Sequence, residues 1–254
     1  MATGLNHYQK IPSQKGFFMS TVYLIRHGQA SFGAKDYDIL SETGMAQARI
    51  LGRSMAERGT MFDAVYHGSL KRQIQTATEF APSYVEKGVF LPEPVLCEAF
   101  DEYDGFAVWR HHLPCVLAEF PHIKKEQENF RTDNKAFQIL FQHVTDRWIS
   151  GKFDSAGCPA WADFKKRVTE GMQAIMRRHG SGKNIAVFTS GGTISVIMQM
   201  ALGLSDQKTM DISWQIMNAS ITRIRYREDQ ISLSAFNEIS HLEMTRMPEM
   251  LTWR

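Results

Sequence analysis

The run Thr21-Val22-Tyr23-Leu24-Ile25-Arg26-His27-Gly28 decides how this chain is read. Its first five residues are apolar or β-rich with no polar alternation, which predicts a short strand covered on both faces. Arg26-His27-Gly28 follows at once and so falls at the strand's carboxyl end, where open α/β sheets bind ligands. A neutral imidazole is a good nucleophile near pH 7, and Arg26 sets a permanent positive charge beside it. Gly28 lets the backbone come close to a ligand. Taken alone, the tripeptide serves equally well as a loop with a surface histidine.

Outward from this strand the elements alternate. Residues 41–59 read as a helix, with Ser41 and Thr43 as caps, Ala48, Leu51 and Met55 at helical spacing and Gly59 as the stop. Residues 62–66 form a second short strand, and 71–80 a helix that must end near Pro82. Residues from about 105 to 158 carry helical patterning rich in Phe, Trp, His, Lys and Gln, and read as a helical insertion. Trp161, Phe164, Val168, Met172 and Ile175 define one apolar helix face closed by Gly180. Residues 184–188 are a buried strand, and a helix runs from about Thr193 to Leu202. Ile224, Tyr226, Ile231, Leu233 and Ala235 alternate around residues 228–230 as a hairpin. Strands alternating with helices predict one α/β domain, a three-layer αβα sandwich with a mostly parallel central sheet, over residues 19–254.

Composition bounds the rest. The chain has 254 residues, 43% hydrophobic and 22% charged, ordinary globular usage that excludes wholesale disorder. Lys plus Arg is 29 and Asp plus Glu 27, a net charge of +2 that gives no nucleic-acid footprint and no polybasic membrane anchor. No apolar run reaches the roughly 18 residues of a membrane span. Residues 1–18 lack the apolar stretch of a signal peptide and are expected to form an unstructured extension. Cys97, Cys115 and Cys158 are odd in number and scattered, neither a disulfide framework nor a C-x-x-C metal site. A reducing, cytoplasmic compartment is the simplest expectation.

Three further stretches carry candidate chemistry. Arg72, in Leu70-Lys71-Arg72-Gln73-Ile74-Gln75-Thr76-Ala77, falls at a strand-to-helix turn on the ligand edge. Phe100-Asp101-Glu102-Tyr103-Asp104-Gly105 is an acidic loop between aromatics. Thr189-Ser190-Gly191-Gly192-Thr193 is a glycine-rich turn whose backbone N–H groups, backed by a helix N-terminus, can bind an anion.

In this order the motifs resemble the histidine phosphatase superfamily, the phosphoglycerate mutase-like phosphatases, from about Thr21 to Leu242. The matching stretches are V-Y-L-I-R-H-G-Q at 22–29, L-S-E-T-G-M-A-Q-A at 40–48, L-K-R-Q-I-Q-T-A at 70–77, the acidic loop, the late glycine turn and F-N-E-I-S-H-L at 236–242. The resemblance implies that His27 is the phosphorylated nucleophile and that Arg26 and Arg72 clamp the phosphate, with Ser190 and Gly191 of the glycine turn beside it. It implies Glu102 as proton donor, with Glu98 as its rival. The reaction implied is hydrolysis of a small phosphorylated metabolite, with no cofactor and no metal. A phosphoglycerate mutase and a non-catalytic phosphate-binding protein are the alternatives.

Two positions depart from the family pattern. Ser190 stands where the family places a second histidine; it can donate one O–H but brings no charge. Losing one transition-state donor costs about 2.7–4 kcal/mol, a slower enzyme rather than a dead one. Gly33 stands near where many members carry an asparagine. His67, at the end of the second strand, is a candidate for the missing donor, against the plainer reading of an edge histidine. Arg110-His111-His112 reads as a solvated face, His241 as a structural hydrogen bond, and no Asp, Glu or His cluster has metal-ligand spacing. A contact between two copies of the chain would use the late hairpin or the helical insertion.

Overall fold

The computed structural model describes residues 18–31, 37–130 and 132–253. The expected extension at 1–18, apart from Phe18, and the departure at Gly33 lie outside the described residues. In chain order the elements are β1 (Ser20–Arg26), α1 (Glu42–Glu57), β2 (Ala64–His67), α2 (Lys71–Phe80), α3 (Pro82–Glu86), β3 (Pro94–Leu96), α4 (Gly105–Glu119), α5 (Lys124–Asn129) and α6 (Asn134–Ile149). The second half adds α7 (Trp161–His179), β4 (Asn184–Thr189), α8 (Gly191–Leu202), α9 (Asp206–Ser213), β5 (Ile221–Arg227), β6 (Gln230–Glu238) and α10 (Ser240–Glu243). The strands form one sheet in the order β3-β2-β4-β1-β5-β6. The first four are mutually parallel, and β5 and β6 close the far edge as an antiparallel hairpin.

The sheet is covered on both faces because its strands are apolar on both. Val22, Leu24, Ile185, Val187, Ile224 and Tyr226 pack with α7, α8 and the α4–α6 helices. Ile25, Val65, Ala186, Phe188 and Ile221 pack with α1, α2 and α3. The three-layer sandwich is therefore as expected, and α4 to α6 share a continuous core with the sheet.

Local signals set most boundaries. Ser41 accepts from the Gly44 N–H and starts α1. Gly180, at φ 60°, ends α7. Pro82 does end α2, but it also serves as the first residue of α3, where its missing N–H costs nothing. Four elements lie outside the sequence expectations: β3, three exposed residues paired to β2, the short helices α3 and α10, and α9, capped by Ser205.

Crossing β1 and β4 in register puts Arg26 beside Thr189. The two candidate turns, 26–28 and 189–193, therefore leave the sheet side by side. On the other face α1 approaches α2 through glycine: a Cβ on Gly52 would lie 2.3 Å from the Phe80 carbonyl oxygen. Gly52→Ala is expected to lower stability by about 1–3 kcal/mol, the cost of overpacking, despite alanine's better helix propensity. A urea midpoint equal to or above wild type would contradict this packing.

Candidate active site

His27 leaves the end of β1 and is 5% exposed. Its backbone is fixed on three sides: the N–H donates to the Thr189 carbonyl at 2.9 Å, and the carbonyl accepts from the Ala219 N–H and from Asn218 Nδ2, both at 3.2 Å. The ring is fixed as well. Nδ1 lies 2.7 Å from the Gly28 carbonyl oxygen, which can only accept, so Nδ1 carries the proton. Nε2 is left with a lone pair and accepts from Arg72 Nε at 3.1 Å. Burial holds the imidazole well below the usual histidine range, and the charges of Arg72 and Arg26 push it further the same way. His27 is thus a neutral base with its lone pair facing a guanidinium. Gly28 is required here, since a Cβ would lie 2.3 Å from the Gly44 carbonyl oxygen of α1.

Arg72 is buried in the first turn of α2. Its Nη1 donates to Asp38 Oδ1 at 2.5 Å, and its guanidinium lies 5.7 Å from the Tyr37 ring centroid. Arg26 is turned toward backbone: Nη1 donates to the Ile216 carbonyl and Nη2 to the Trp253 carbonyl, the latter at 2.8 Å. Its Nε–H is buried without a hydrogen-bond partner among the described residues. That atom would lie 3.8 Å from a Cβ built on Gly191, so the spare donor sits at the glycine turn. Burial lowers the Arg26 guanidinium to about 10, and Glu102 opposes that shift.

Glu102 reaches the same place from the loop before α4. Its Oε2 accepts from the Gly192 N–H at 2.9 Å and its Oε1 from the Tyr103 N–H at 3.2 Å. A Cβ on Gly192 would lie 2.3 Å from Oε1, so the second glycine makes room for this carboxyl. Desolvation raises its pKa, outweighing the Gly192 N–H and the Arg72 charge that favour the ionised form. The anion at the head of α8 is therefore the protein's own carboxyl, where the glycine turn alone pointed to a bound ligand. Glu98, the rival, is exposed.

Ser190 is 1% exposed, and its partner is a residue to which sequence reading gave no role. Gln73 Nε2 donates to Ser190 Oγ at 2.8 Å and to the Phe100 carbonyl at 3.2 Å. A carbonyl can only accept, so the amide NH2 must point this way and Ser190 Oγ must be an acceptor from it. The single hydroxyl proton of Ser190 is then free to donate elsewhere. The available signal for Gln73 was its register: it shares the buried face of α2 with Arg72, Thr76, Ala77 and Phe80, a polar residue on an otherwise committed face. Asp38 carried no comparable signal.

The acidic loop is bound to the turn before α8 at several points. Thr189 Oγ1 donates to the Phe100 carbonyl at 2.6 Å, and Thr193 Oγ1 to the Asp101 carbonyl at 3.0 Å. His27, Arg26, Arg72, Glu102, Ser190 and Gly191 thus meet at one sheet edge. His67 is half-buried, and its Nδ1 bonds the Gly68 carbonyl at 2.7 Å; no hydrogen bond joins it to these groups among the described residues. His241 is buried with a bond to the Ala219 backbone, as expected of a structural histidine. Two expectations need correction. His112 is not on a solvated face but 1% exposed, and a group with metal-ligand atoms does exist: His111, His112 and Cys158 converge, a meeting 46 residues of separation concealed.

The family model for the histidine phosphatase superfamily (branch 1) matches residues 22–105 and 116–239. Among solved structures, a phosphoglycerate mutase from Bacillus anthracis is similar with TM-score 0.60 and 16% identity, over 91% of this chain and 98% of that one. A mutant phosphoserine phosphatase from Entamoeba histolytica, in complex with phosphoserine, gives 0.59 and 20% over 88% and 100%. A putative alpha-ribazole-5'-P phosphatase from Escherichia coli gives 0.60 and 17% over 86% and 96%. At such identities these likenesses speak for the fold. Among the described residues, no helix is long and apolar enough to cross a membrane.

Burial depresses four histidines: His27, His112 and His179 below their ordinary range and His241 to about 4. As pH falls below about 6.5 the unfolded chain takes up these protons first, so stability is full above that pH and declines toward pH 5. Glu102, raised in the fold, acts in the opposite direction but is one group against four. Urea midpoints are expected to fall between pH 7.5 and pH 5, with a shallower fall in His241→Asn. A midpoint flat across this range would contradict the assignment.

Proposed function

The chain belongs to the histidine phosphatase superfamily, and from that premise we propose that it is a metal-independent phosphatase hydrolysing a small phosphomonoester through a phosphohistidine on His27. The observation that carries this reading is the His27 ring. Its Nδ1 proton is committed to Gly28, and its Nε2 lone pair is aimed at Arg72 with Arg26 close by.

In the first step Nε2 attacks phosphorus in line, the ester P–O bond breaks, and the leaving oxygen takes the proton of Glu102. In the second, water attacks phosphorus and gives a proton back to Glu102, the P–N bond breaks with its electron pair returning to Nε2, phosphate leaves and His27 is again neutral. Arg72 and the spare Nε–H of Arg26 stabilise the equatorial oxygens. Desolvation raises the Glu102 carboxyl pKa, which shifts it toward the protonated form that the first step uses. The guanidinium groups of Arg72 and Arg26 and the Ser190 hydroxyl offer donors to an anion, while the nearby Asp38 carboxylate is paired with Arg72. Ser190 supplies a neutral O–H in place of a second imidazole, and Gln73 is its positioning residue.

A second reading, a phosphate-binding protein with little turnover, is favoured by one feature: both terminal nitrogens of Arg26 are taken by backbone carbonyls. A panel of phosphoserine, 3-phosphoglycerate and p-nitrophenyl phosphate, assayed for free phosphate and for mutase products, separates the readings. Hydrolysis and an acid-labile phosphoenzyme are expected, both lost in His27→Ala. Glu102→Gln is expected to slow alkyl esters about 10²–10⁴-fold and p-nitrophenyl phosphate far less, since only poor leaving groups need the proton. Thermal stabilisation by phosphate without any turnover would select the binding protein.

Because Gln73 occupies the space against Ser190, Ser190→His alone is expected to overpack and lose stability. The pair Gln73→Ala with Ser190→His is expected to accept the imidazole and raise kcat by about 10²-fold or more, the worth of one transition-state donor. A double variant that folds and is no faster would mean that Ser190 does not face the phosphoryl group.

A further inference from the structure

The helices beyond the acidic loop hold a group of side chains the reaction does not use. His111 and His112 lie on α4 and Cys158 in the loop before α7, and one ligand atom from each lies within 4.8 Å of the others. Adjacent residues on a helix diverge by about 100°, yet these two rings approach to 4.7 Å between centroids, at 85°. Cys158 Sγ is 3.6 Å from His112 Nε2. With Zn–N bonds of about 2.0–2.1 Å and a Zn–S bond of about 2.3 Å, a tetrahedral ion holds its nitrogen and sulfur ligands about 3.5–3.6 Å apart. The pair is therefore already spaced for a shared ion. His111 Nε2 is held by Ser155 Oγ at 3.0 Å, so the second imidazole is tethered to the same loop.

We propose that His111, His112 and Cys158 bind a zinc-class divalent transition-metal ion that ties α4 to the loop before α7. Two imidazoles and a thiolate are a borderline-soft set suited to Zn²⁺ or Co²⁺ rather than Mg²⁺ or Ca²⁺. On binding, the Cys158 thiol gives its proton to solvent and His111 exchanges its bond with Ser155 for one to the metal; no group is oxidised or reduced. The fourth position falls to water or to Asp154, whose charge acts on both His112 and Cys158. The nearby cation Arg147 is committed elsewhere, paired with Glu119 at 2.8 Å and lying over the Phe153 ring.

The site has a route to the acid. The carbonyl of Pro159, next to Cys158, accepts from Trp148 Nε1 at 2.6 Å. The Trp148 ring packs at 4.5 Å on Tyr103, the residue after Glu102. An ion at Cys158 would brace this wall without touching His27.

The test uses the full chain, free of any affinity tag, titrated with Zn²⁺ by calorimetry and with Co²⁺ by absorbance. Expected are one equivalent of Zn²⁺, a thiolate-to-Co²⁺ charge-transfer band in the near ultraviolet, and a higher Tm with Zn²⁺ than with chelator. Cys158→Ser should remove the band and weaken Zn²⁺ binding at least tenfold. His111→Asn, nearer solvent and less apt to disturb folding, should weaken it at least tenfold with its metal-free melt unchanged. His122→Asn, at an exposed histidine outside the group, should leave binding as in wild type. His27→Ala should bind Zn²⁺ as wild type does, so that loss of phosphatase activity and loss of metal binding are separate results. Absence of stoichiometric binding, or binding unchanged in both Cys158→Ser and His111→Asn, would overturn the proposal.

Discussion

A neutral imidazole enclosed with two guanidinium groups is an arrangement that needs an anion. Arg72 and Arg26 both depress His27, and each is itself desolvated or confined. The fold offsets this positive charge with Asp38 on Arg72, with Glu102 near both arginines, and with the Ile216 and Trp253 carbonyls on Arg26. Buried charges stay charged only when paired and hydrogen-bonded. Two buried atoms of the network have no partner among the described residues, Gln73 Oε1 and the Arg26 Nε–H beside the glycine turn. A tetrahedral anion between Nε2 of His27 and that N–H would give the donor its acceptor.

The same constraint explains why the loops around His27 are so heavily cross-linked. The Phe100 carbonyl accepts from both Thr189 and Gln73, and Glu102 accepts from the Gly192 N–H in the first turn of α8. Gly28, Gly192 and the β1–β4 register are the steric conditions for this convergence, because a Cβ at either glycine would meet a carbonyl or the carboxyl itself. The serine at position 190 brings no charge to the site and is closely packed. Gln73 fills the adjacent volume and donates to the serine oxygen, so the wall is closed around a neutral hydroxyl.

Much of this was legible in the chain. The unalternating strands at 21–25 and 184–188 announced a sheet covered on both faces, and the caps Ser41 and Gly180 marked helix ends because cap chemistry is local. Arg26, His27 and Arg72 could be placed because each stands at the end of a strand or at the turn after one, whereas their roles and that of Glu102 came from the family resemblance. The short β3 could not be read: three exposed residues have no periodicity, and only pairing to β2 makes them a strand. The preference for Glu102 over Glu98 rested on pattern, whereas burial beside Gly192 is a property of the folded loop.

The amino-acid order by itself determined the layers, the strand-end placement of the chemistry and the identity of the imidazole and guanidinium groups, since these follow from nearest-neighbour pattern and hydrophobic period. Only the tertiary structure decided which nitrogen of His27 is free, that Gln73 governs Ser190, that backbone carbonyls restrain Arg26, and that Cys158 meets His112. Each of those depends on a hydrogen bond or contact between residues far apart in the chain, or on the orientation of a ring or an amide, and neither is encoded in any local stretch of sequence.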